Sequence, residues 1–421
     1  MLPQVALGRH CCAQSTNSDN YRPLVGDELV DEVQALAKEL SGVHICQINA
    51  TSAGGGVAEL LGRQIPVLQA MGVNADWRLI YGDPAFYEVT KAFHNALQGG
   101  SLDLTKIVKQ TYLDRNRTCA EMMEEPYDVY IVHDPQPAAL RHFTRRGKAR
   151  WIWRCHIDSS EPNSRVWSFL KPYIEEYDAT VFTMKEFCPP DLKVDRTLFI
   201  PPAIDPLSTK NMELPEEIYK RVLADSGVDL HRPLLLQVSR FDPWKDPLGV
   251  IRAYRLVKEK RPEVQLALVG AMAGDDPEGW HILETINKES VKDIDMYVFT
   301  NLTGVGNMEV NVFQRGADVI IQKSLKEGFG LVVSEALWKG KAMVAGRAGG
   351  IPMQFPKKYD NYLIDSVEDC AERVLQLLDN SEKRETFGKA GQEKVRKEFL
   401  LPRLIRDELR LIKEVLDQGN G

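Results

Sequence analysis

Residues 317–340 read ADVIIQKSLKEGFGLVVSEALWKG, in which a short apolar run passes through two glycines into a helical pattern. The run ADVIIQ predicts a buried strand and LVVSEALWKG a helix. Gly328 and Gly330 allow a tight turn between them. The free N–H groups of the first helical turn then point at this loop, which predicts an anion site with Glu327 at its mouth and Glu335 about one turn inside. Two solvated glutamates beside an ordinary strand–loop–helix unit are the alternative.

The same alternation of strand and helix extends over the whole chain. Strands are predicted at 43–50, 77–82, 128–133, 149–156, 179–184, 233–239, 264–270, 296–300, 317–322 and 341–346. Such alternation favours parallel sheets covered by helices on both faces. A chain of 421 residues suits two domains, and the Pro-rich polar stretch at 200–217 predicts a linker. The predicted class is α/β, with two doubly wound, Rossmann-like domains at 1–208 and 209–392 that face each other across a cleft.

Composition excludes several classes of protein. The net charge is −7, from 53 basic and 60 acidic residues, so neither nucleic acid nor an anionic membrane is the expected partner. No apolar run reaches the length of a membrane span. The seven cysteines are scattered and odd in number, which predicts reduced thiols and a cytoplasmic location rather than a disulfide framework or zinc site.

Two more loops that follow strands carry candidate ligand-binding residues. In VSRFDPWKD at 238–246, Arg240 and Lys245 can reach the same phosphates. The alternative is that both are ordinary loop residues whose charges are exposed to solvent. In ATSAGGGVAEL at 50–60, Gly55 and Gly56 lead into a helix, but the loop lacks the complete motif of a nucleotide-binding turn.

Two histidines follow apolar strands of the first half. His133 and Asp134 begin HDPQ, and His156 and Asp158 belong to RCHID. A single histidine is more often structural than catalytic. Two at matching strand ends favour a functional site, because the carboxyl ends of parallel strands are where such sheets bind ligands.

The spacing of Glu327 and Glu335 resembles the Glu-(seven residues)-Glu signature of glycosyltransferase family 4, which has the GT-B fold. The resemblance implies that Glu327 contacts the donor sugar and Glu335 the ribose, beside Gly328, Phe329 and Gly330. It further implies that Arg240 and Lys245 clamp the leaving diphosphate, and that a final helix at 393–421 completes the first domain. GRAGGI at 346–351 resembles the family loop behind the glucose, although Met353 replaces the usual Glu.

A narrower resemblance, to the trehalose glycosyltransferring synthases, rests on long blocks between residues 52 and 305. They are SAGGGVAE, KAFHNALQG, VHDPQPAAL, WRCHID, VWSFL, IDPLS, VSRFDPWKD, DDPEGW and NLTGV. The resemblance implies a retaining, reversible transfer of glucose from an NDP-glucose, with UDP or ADP as nucleotide, to glucose, giving trehalose. His156 would contact the reacting sugar, and the expected acceptor ligands are His133, Asp134, Gln136 and Asp158, with Gly55 and Gly56 approaching the donor phosphate.

The expected chemistry needs no cofactor, apart from Mg²⁺ that can accompany the nucleotide, and no metal-binding residues are predicted. Whether the chain forms a homodimer is left open. The alternatives are a trehalose phosphorylase, another retaining α-glucosyltransferase of the family, and a non-catalytic nucleotide-sugar binder. A dehydrogenase is disfavoured because the sequence lacks GxGxxG followed by a ribose-binding acid.

Overall fold

Each half of the chain is built on one six-stranded sheet in which every neighbouring pair of strands is parallel. The computed structural model describes residues 1–7, 16–53, 55–123, 126–145, 147–272 and 277–418. The chain divides into two units: unit 1 is Met1–Ala203 with Leu401–Gly421, and unit 2 is Ile204–Leu400. The predicted α/β class with two doubly wound parallel sheets is confirmed. None of the described helices is both long and apolar enough to cross a membrane.

Unit 1 has the strand order β2-β1-β3-β4-β5-β6. Its strands are β1 (His44–Asn49), β2 (Asn74–Leu79), β3 (Val129–His133), β4 (Arg150–Arg154), β5 (Ala179–Phe182) and β6 (Thr197–Phe199). Its helices before the crossing to unit 2 are α1 (Arg22–Val25), α2 (Asp27–Glu39), α3 (Gly56–Ala70), α4 (Pro84–Leu97), α5 (Lys106–Glu121), α6 (Leu140–Phe143) and α7 (Ser164–Ile174). The central strands are buried along their length, as expected for a sheet covered on both faces.

Unit 2 has the strand order β12-β11-β10-β7-β8-β9. Its strands are β7 (Leu234–Arg240), β8 (Gln265–Ala271), β9 (Met296–Thr300), β10 (Val319–Gln322), β11 (Met343–Gly346) and β12 (Leu363–Ile364). Its helices are α8 (Glu216–Asp225), α9 (Pro247–Lys260), α10 (Pro277–Ser290), α11 (Asn307–Gly316), α12 (Leu331–Trp338), α13 (Ile351–Gln354), α14 (Val367–Leu378) and α15 (Ser381–Glu398). The last helix, α16 (Leu401–Asp417), belongs to unit 1.

The single helix predicted from residue 393 is wrong, because the chain forms two helices there. α15 ends at Glu398, Phe399 leaves helical geometry, and Leu400 pairs with Ile204 as an isolated parallel bridge. α16 then begins with Pro402 at its second residue, where the missing N–H costs no hydrogen bond. Ile204 N donates to Phe399 O at 2.9 Å. The segment that enters unit 2 and the segment that leaves it therefore lie side by side.

The predicted linker at 200–217 is ordered against unit 2 from residue 205 onward. Lys210 forms an ion pair with Glu335 at 2.9 Å, and Lys339 donates to Asn211 Oδ1 at 2.9 Å. Asn311 donates to the carbonyl oxygen of Met212 at 2.9 Å. These hydrogen bonds and the ion pair take the place of water at the polar groups of the segment, and so hold it in one conformation. The Pro-rich composition therefore marks irregular chain rather than a free connector.

Candidate active site

The loop residues of unit 2 meet where the strand order reverses. β7 and β10 are neighbours, and the chain continues from β7 to β8 and from β10 to β11, in opposite directions along the sheet. Ligands of open α/β sheets bind beyond the carboxyl ends of the strands at such a point. Arg240 is the last residue of β7, Lys245 follows this strand, and Glu327 follows β10. The topology thus brings together two motifs that are 82 residues apart.

Lys245 and Glu327 form a direct ion pair, with 2.6 Å between Nζ and Oε2. Asp242 holds the lysine in place, because its carboxylate accepts from the Lys245 backbone N–H at 3.2 Å and caps a short 3₁₀ turn at Pro243–Lys245. Arg240 stands on the same loop with 54% of its side chain exposed and a 3.3 Å contact to Asp242. The loop therefore presents one exposed guanidinium and one ammonium already bound to a carboxylate.

The glycine turn after β10 is shaped by a second glycine pair. Gly330 has a φ of 83°, in the left-handed region, and immediately precedes α12. Gly349 has a φ of 49°, and a Cβ added to it would lie 1.6 Å from the carbonyl oxygen of Glu327. Gly350 N donates to Gly328 O at 3.0 Å. The GRAGGI segment is thus a backbone support for the turn that carries Glu327, Gly328 and Phe329.

Gln354 completes this support, and the motifs of the sequence did not indicate it. Its buried side chain donates to Phe329 O at 2.5 Å and accepts from Ser334 Oγ at 2.6 Å. It follows directly after Met353, the position at which the family pattern has Glu. An amide that donates and accepts at once ties the glycine turn to α12.

We expect Gly349→Ala to lower the free energy of unfolding by at least about 2 kcal/mol and to reduce turnover. The added methyl group would displace the Glu327 carbonyl, and the left-handed backbone adds its own cost. Gly304→Ala is the matched control, since φ is 90° there and nothing lies within 4 Å of an added Cβ. It should cost about 1 kcal/mol. Equal losses in urea unfolding of the two variants would contradict close packing at Gly349.

Glu335 is placed differently from its predicted partner in the motif. Its side chain is fully buried, with Oε1 2.9 Å from Lys210 Nζ and Oε2 accepting from Gln314 at 3.2 Å. Burial by itself raises the pKa of this carboxyl, but the two lysines, Lys210 and Lys339, outweigh burial and lower it. Burial lowers the pKa of Lys339 to about 7, opposed by Glu335. The structure brings Glu335 into an ionic cluster and does not expose it beside Glu327.

The predicted site residues of unit 1 lie at or next to the point where the strand order of its sheet reverses. β1 and β3 are neighbours, and the chain continues from β1 to β2 and from β3 to β4, in opposite directions along the sheet. The glycine loop follows β1, His133 ends β3, and His156 follows β4. Gly55 precedes α3 and Gly56 is its first residue; a Cβ on Gly55 would meet nothing within 4 Å. Gly54 lies outside the described residues. Local packing therefore leaves open space at Gly55, as the approach of a ligand requires.

The two strand-end histidines are in direct contact. His133 Nδ1 lies 2.9 Å from His156 Nε2, and the rings are stacked with centroids 5.2 Å apart. Asp134 has a φ of 65°, and its carboxylate accepts from the His156 backbone N–H at 2.8 Å. Burial lowers the pKa of both histidines well below the usual range, and the nearby Arg154 lowers both further. The structure thus brings His133, Asp134 and His156 together, as two neutral imidazole rings beside one carboxyl group.

The remaining two predicted acceptor ligands are half-buried. Asp158 Oδ1 accepts from both the backbone N–H and the hydroxyl of Ser160, so this carboxylate shapes its own loop. Gln136 Oε1 is buried and has no hydrogen-bond partner among the described residues. Such an atom is expected to gain a donor from water or a ligand. Gln136 is therefore an available acceptor, whereas Asp158 is locally engaged.

Asp134→Asn should stabilise the protein more at pH 8 than at pH 5. Burial raises the pKa of Asp134 to about 7, opposed by the His156 N–H and by Arg154. A folded pKa above the unfolded value of 3.8 means that the native state binds more protons, so stability is lost as pH rises through about 7. Asparagine keeps the acceptor and tolerates this backbone. Urea unfolding of both proteins across pH checks this, and a difference that does not change with pH would contradict the raised pKa.

Known proteins resemble the chain in both units. Residues 47–189 match the family model for the N-terminal domain of trehalose synthase, and residues 220–394 match glycosyl transferases group 1. The solved α,α-trehalose 6-phosphate synthase of Burkholderia multivorans superimposes with a TM-score of 0.72 over 90% of this chain and 100% of that one, at 16% identity. The fold and the matched models define a GT-B glycosyltransferase.

Two relatives are similar along nearly their whole length. Trehalose synthase of Rubrobacter xylanophilus is 50% identical over 403 residues, covering 94% of this chain and 96% of the relative. Trehalose synthase of Thermococcus litoralis is 44% identical over 396 residues, with the same coverage. The chain belongs to the trehalose synthase family, and it is a trehalose-related hexosyltransferase.

Proposed function

We propose that this enzyme transfers glucose from an NDP-glucose to free glucose with retention of configuration, forming trehalose, and that it runs in both directions. The observation that carries the proposal is the ion pair between Lys245 and Glu327 at the carboxyl ends of β7 and β10, with Arg240 exposed on the same loop. Cations and a carboxylate at one point suit a substrate with an anionic leaving group and a polyhydroxyl group. A nucleoside diphosphate sugar has both.

The cations act on the leaving diphosphate. An ammonium has three donor hydrogens, so Lys245 can keep its bond to Glu327 and still donate to a phosphate oxygen. Arg240 adds a planar fork that suits the neighbouring phosphate. Preorganised charge of this kind contributes several kcal/mol where negative charge develops during bond cleavage. Glu327, fixed by Lys245, then accepts from hydroxyl groups of the donor glucose.

Retention follows from attack on the face that the diphosphate leaves. The acceptor hydroxyl oxygen bonds to C1 of the glucose as the bond from C1 to the phosphate oxygen breaks, and its proton goes to that phosphate oxygen. No enzyme carboxylate has to become a covalent nucleophile, in contrast to the paired carboxylates of retaining glycosidases. The turn Gly328–Phe329–Gly330 would place the helical N–H groups of α12 toward the donor.

The acceptor glucose is assigned to unit 1, with His156 and Asp134 as ligands and Gln136 as an available acceptor. The places of His133 and Asp158 around it, and of Gly55 and Gly56 beside the donor phosphate, stay predictions. The ribose contact of Glu335 stays a prediction, because Lys210 and Gln314 engage its carboxylate.

The cytoplasmic location stays a prediction, as does Mg²⁺ that can accompany the nucleotide. The choice between UDP and ADP and the formation of a homodimer stay open. Among the described residues, no three His, Cys, Asp or Glu side chains gather into a metal-binding group. No step above uses a metal.

The test is a screen of NDP-glucoses with free glucose, followed by NMR of the disaccharide. We expect an α,α-1,1 linkage, and NDP-glucose from trehalose and NDP in reverse. A β linkage, or a linkage other than 1,1, would overturn the trehalose product. Formation of glucose 1-phosphate from trehalose and inorganic phosphate, with no reaction of NDP, would instead show a phosphorylase.

A further inference from the structure

A chain of buried hydrogen bonds runs from α16 to the strand-end histidines. Glu408 Oε1 accepts from Gln47 Nε2 at 2.6 Å, and Gln47 Oε1 lies 2.6 Å from His133 Nε2. His133 Nδ1 in turn lies 2.9 Å from His156 Nε2. Glu408, Gln47 and His133 are all buried, so water does not compete for these bonds. The sequence motifs indicated the two histidines but neither Gln47 nor Glu408.

Glu408 is an acceptor at the origin of this chain. Arg154 donates to its Oε2 at 2.9 Å, and Gln64 donates to the same Oε1 as Gln47, also at 2.6 Å. Burial raises the pKa of Glu408, and these three donors oppose the shift. Arg154 is a cation that can only donate, and its ion pair with Glu408 favours the ionised carboxylate. A carboxylate with three donors can only accept.

This carboxylate, which can only accept, determines which group donates and which accepts in each of the following hydrogen bonds. Gln47 must direct its NH₂ group to Glu408, so its carbonyl oxygen faces His133, and His133 Nε2 carries the proton that this oxygen accepts. His133 Nδ1 is then a lone pair, and His156 Nε2–H donates to it. The partner of one ring nitrogen determines which nitrogen of a histidine is protonated.

We propose that Glu408 and Gln47 are positioning residues that hold His133 and His156 in the Nε2–H tautomer, so that His156 offers an unprotonated Nδ1 as a hydrogen-bond acceptor. A neutral imidazole lone pair suits the O–H of an uncharged sugar and repels a phosphate oxygen. The pKa values of both histidines, lowered first by burial, agree with neutral rings at pH 7. The consequence for sugar binding rests on the proposed function; the tautomers do not.

The two glutamines on Glu408 provide a matched pair of variants. Gln47→Met and Gln64→Met each remove one 2.6 Å amide bond to the same carboxylate oxygen, but only Gln47 leads to His133. In protein labelled with ¹⁵N-histidine, long-range ¹H–¹⁵N correlation spectra report which ring nitrogen is protonated, and His133→Asn and His156→Asn assign the signals. We expect Nε2–H at both rings in the unmodified enzyme and in Gln64→Met, and a population with Nδ1–H at His133 in Gln47→Met.

A proton on Nδ1 of either ring in the unmodified enzyme would overturn the proposal, as would identical spectra for the two methionine variants. The unmodified enzyme gives the first result even if Gln47→Met does not fold. In the transfer assay Gln47→Met should lower kcat/KM about tenfold, the size of one hydrogen bond, and Gln64→Met by less than about twofold. An enzyme with the expected tautomers but no transfer from NDP-glucose would refute the proposed function and leave the tautomer assignment intact.

Discussion

Replacing Lys245 by alanine is expected to lower kcat/KM by roughly 10²–10³-fold, the loss found when one preorganised donor to a developing anion is removed. The variant also releases Glu327, whose carboxylate is held 2.6 Å from the lysine. Arg240→Ala should fall in the same range, since it removes the exposed cation of the same loop. Binding of free glucose should change little, because neither cation is assigned to the acceptor. Steady-state kinetics with the donor identified by the screen, and calorimetry with glucose, measure the two effects.

Arg252→Ala is the control for lost positive charge. Arg252 lies on α9 with 57% of its side chain exposed, 3.7 Å from Asp246, and its removal should change kcat/KM by less than about twofold because exposed charges are screened by water and salt. Turnover close to that of the unmodified enzyme in both Lys245→Ala and Arg240→Ala would refute the diphosphate clamp.

Glu335→Ala is expected to reduce the free energy of unfolding by about 3–5 kcal/mol, which is the cost of leaving buried cations without their counter-charge. Lys210 would lose its 2.9 Å ion pair, and Lys339 would lose the carboxylate that raises its pKa against burial. The lowered pKa of Glu335 means that its contribution to stability is present above the unfolded value of 4.5 and is lost as pH falls through the folded value. Urea unfolding at pH 7 therefore shows the full effect.

Glu284→Ala provides the comparison for an exposed carboxylate. Glu284 pairs with Lys288 at 2.7 Å, but both side chains are more than 60% exposed, and such pairs contribute little to stability because water screens them. If Glu335→Ala were as stable as Glu284→Ala while nucleotide affinity fell, Glu335 would be a ribose ligand and not a structural anchor.

The strands could be predicted from the sequence where the apolar runs were long. Ten strands were predicted at or near their observed positions, and eight of these have at least four consecutive buried residues, which give a clear pattern. β6 and β12 were missed, since strands of three and two residues at sheet edges carry no periodicity. The break at Phe399 was also missed, because the polar α15 and the amphipathic α16 read as one helical pattern.

The candidate site was predictable to the extent that it lies in motifs. Strand-end position was enough to group Lys245 with Glu327, and His133 with His156, because parallel strands align their carboxyl ends. The burial of Glu335 was not predictable, since its partner Lys210 comes from a segment without periodicity. Glu408 lies 254 residues from Arg154, and no local pattern connects the two.

The position of α16 in the chain has a consequence for biosynthesis. Unit 2 is one continuous segment, whereas unit 1 receives its last helix from Leu401–Asp417. On the ribosome Arg154 emerges long before Glu408, so the first sheet is made with a cation that has no counter-charge yet and would be costly to bury. We therefore expect the later-made unit to mature first and the earlier-made one to stay incomplete until α16 has been made.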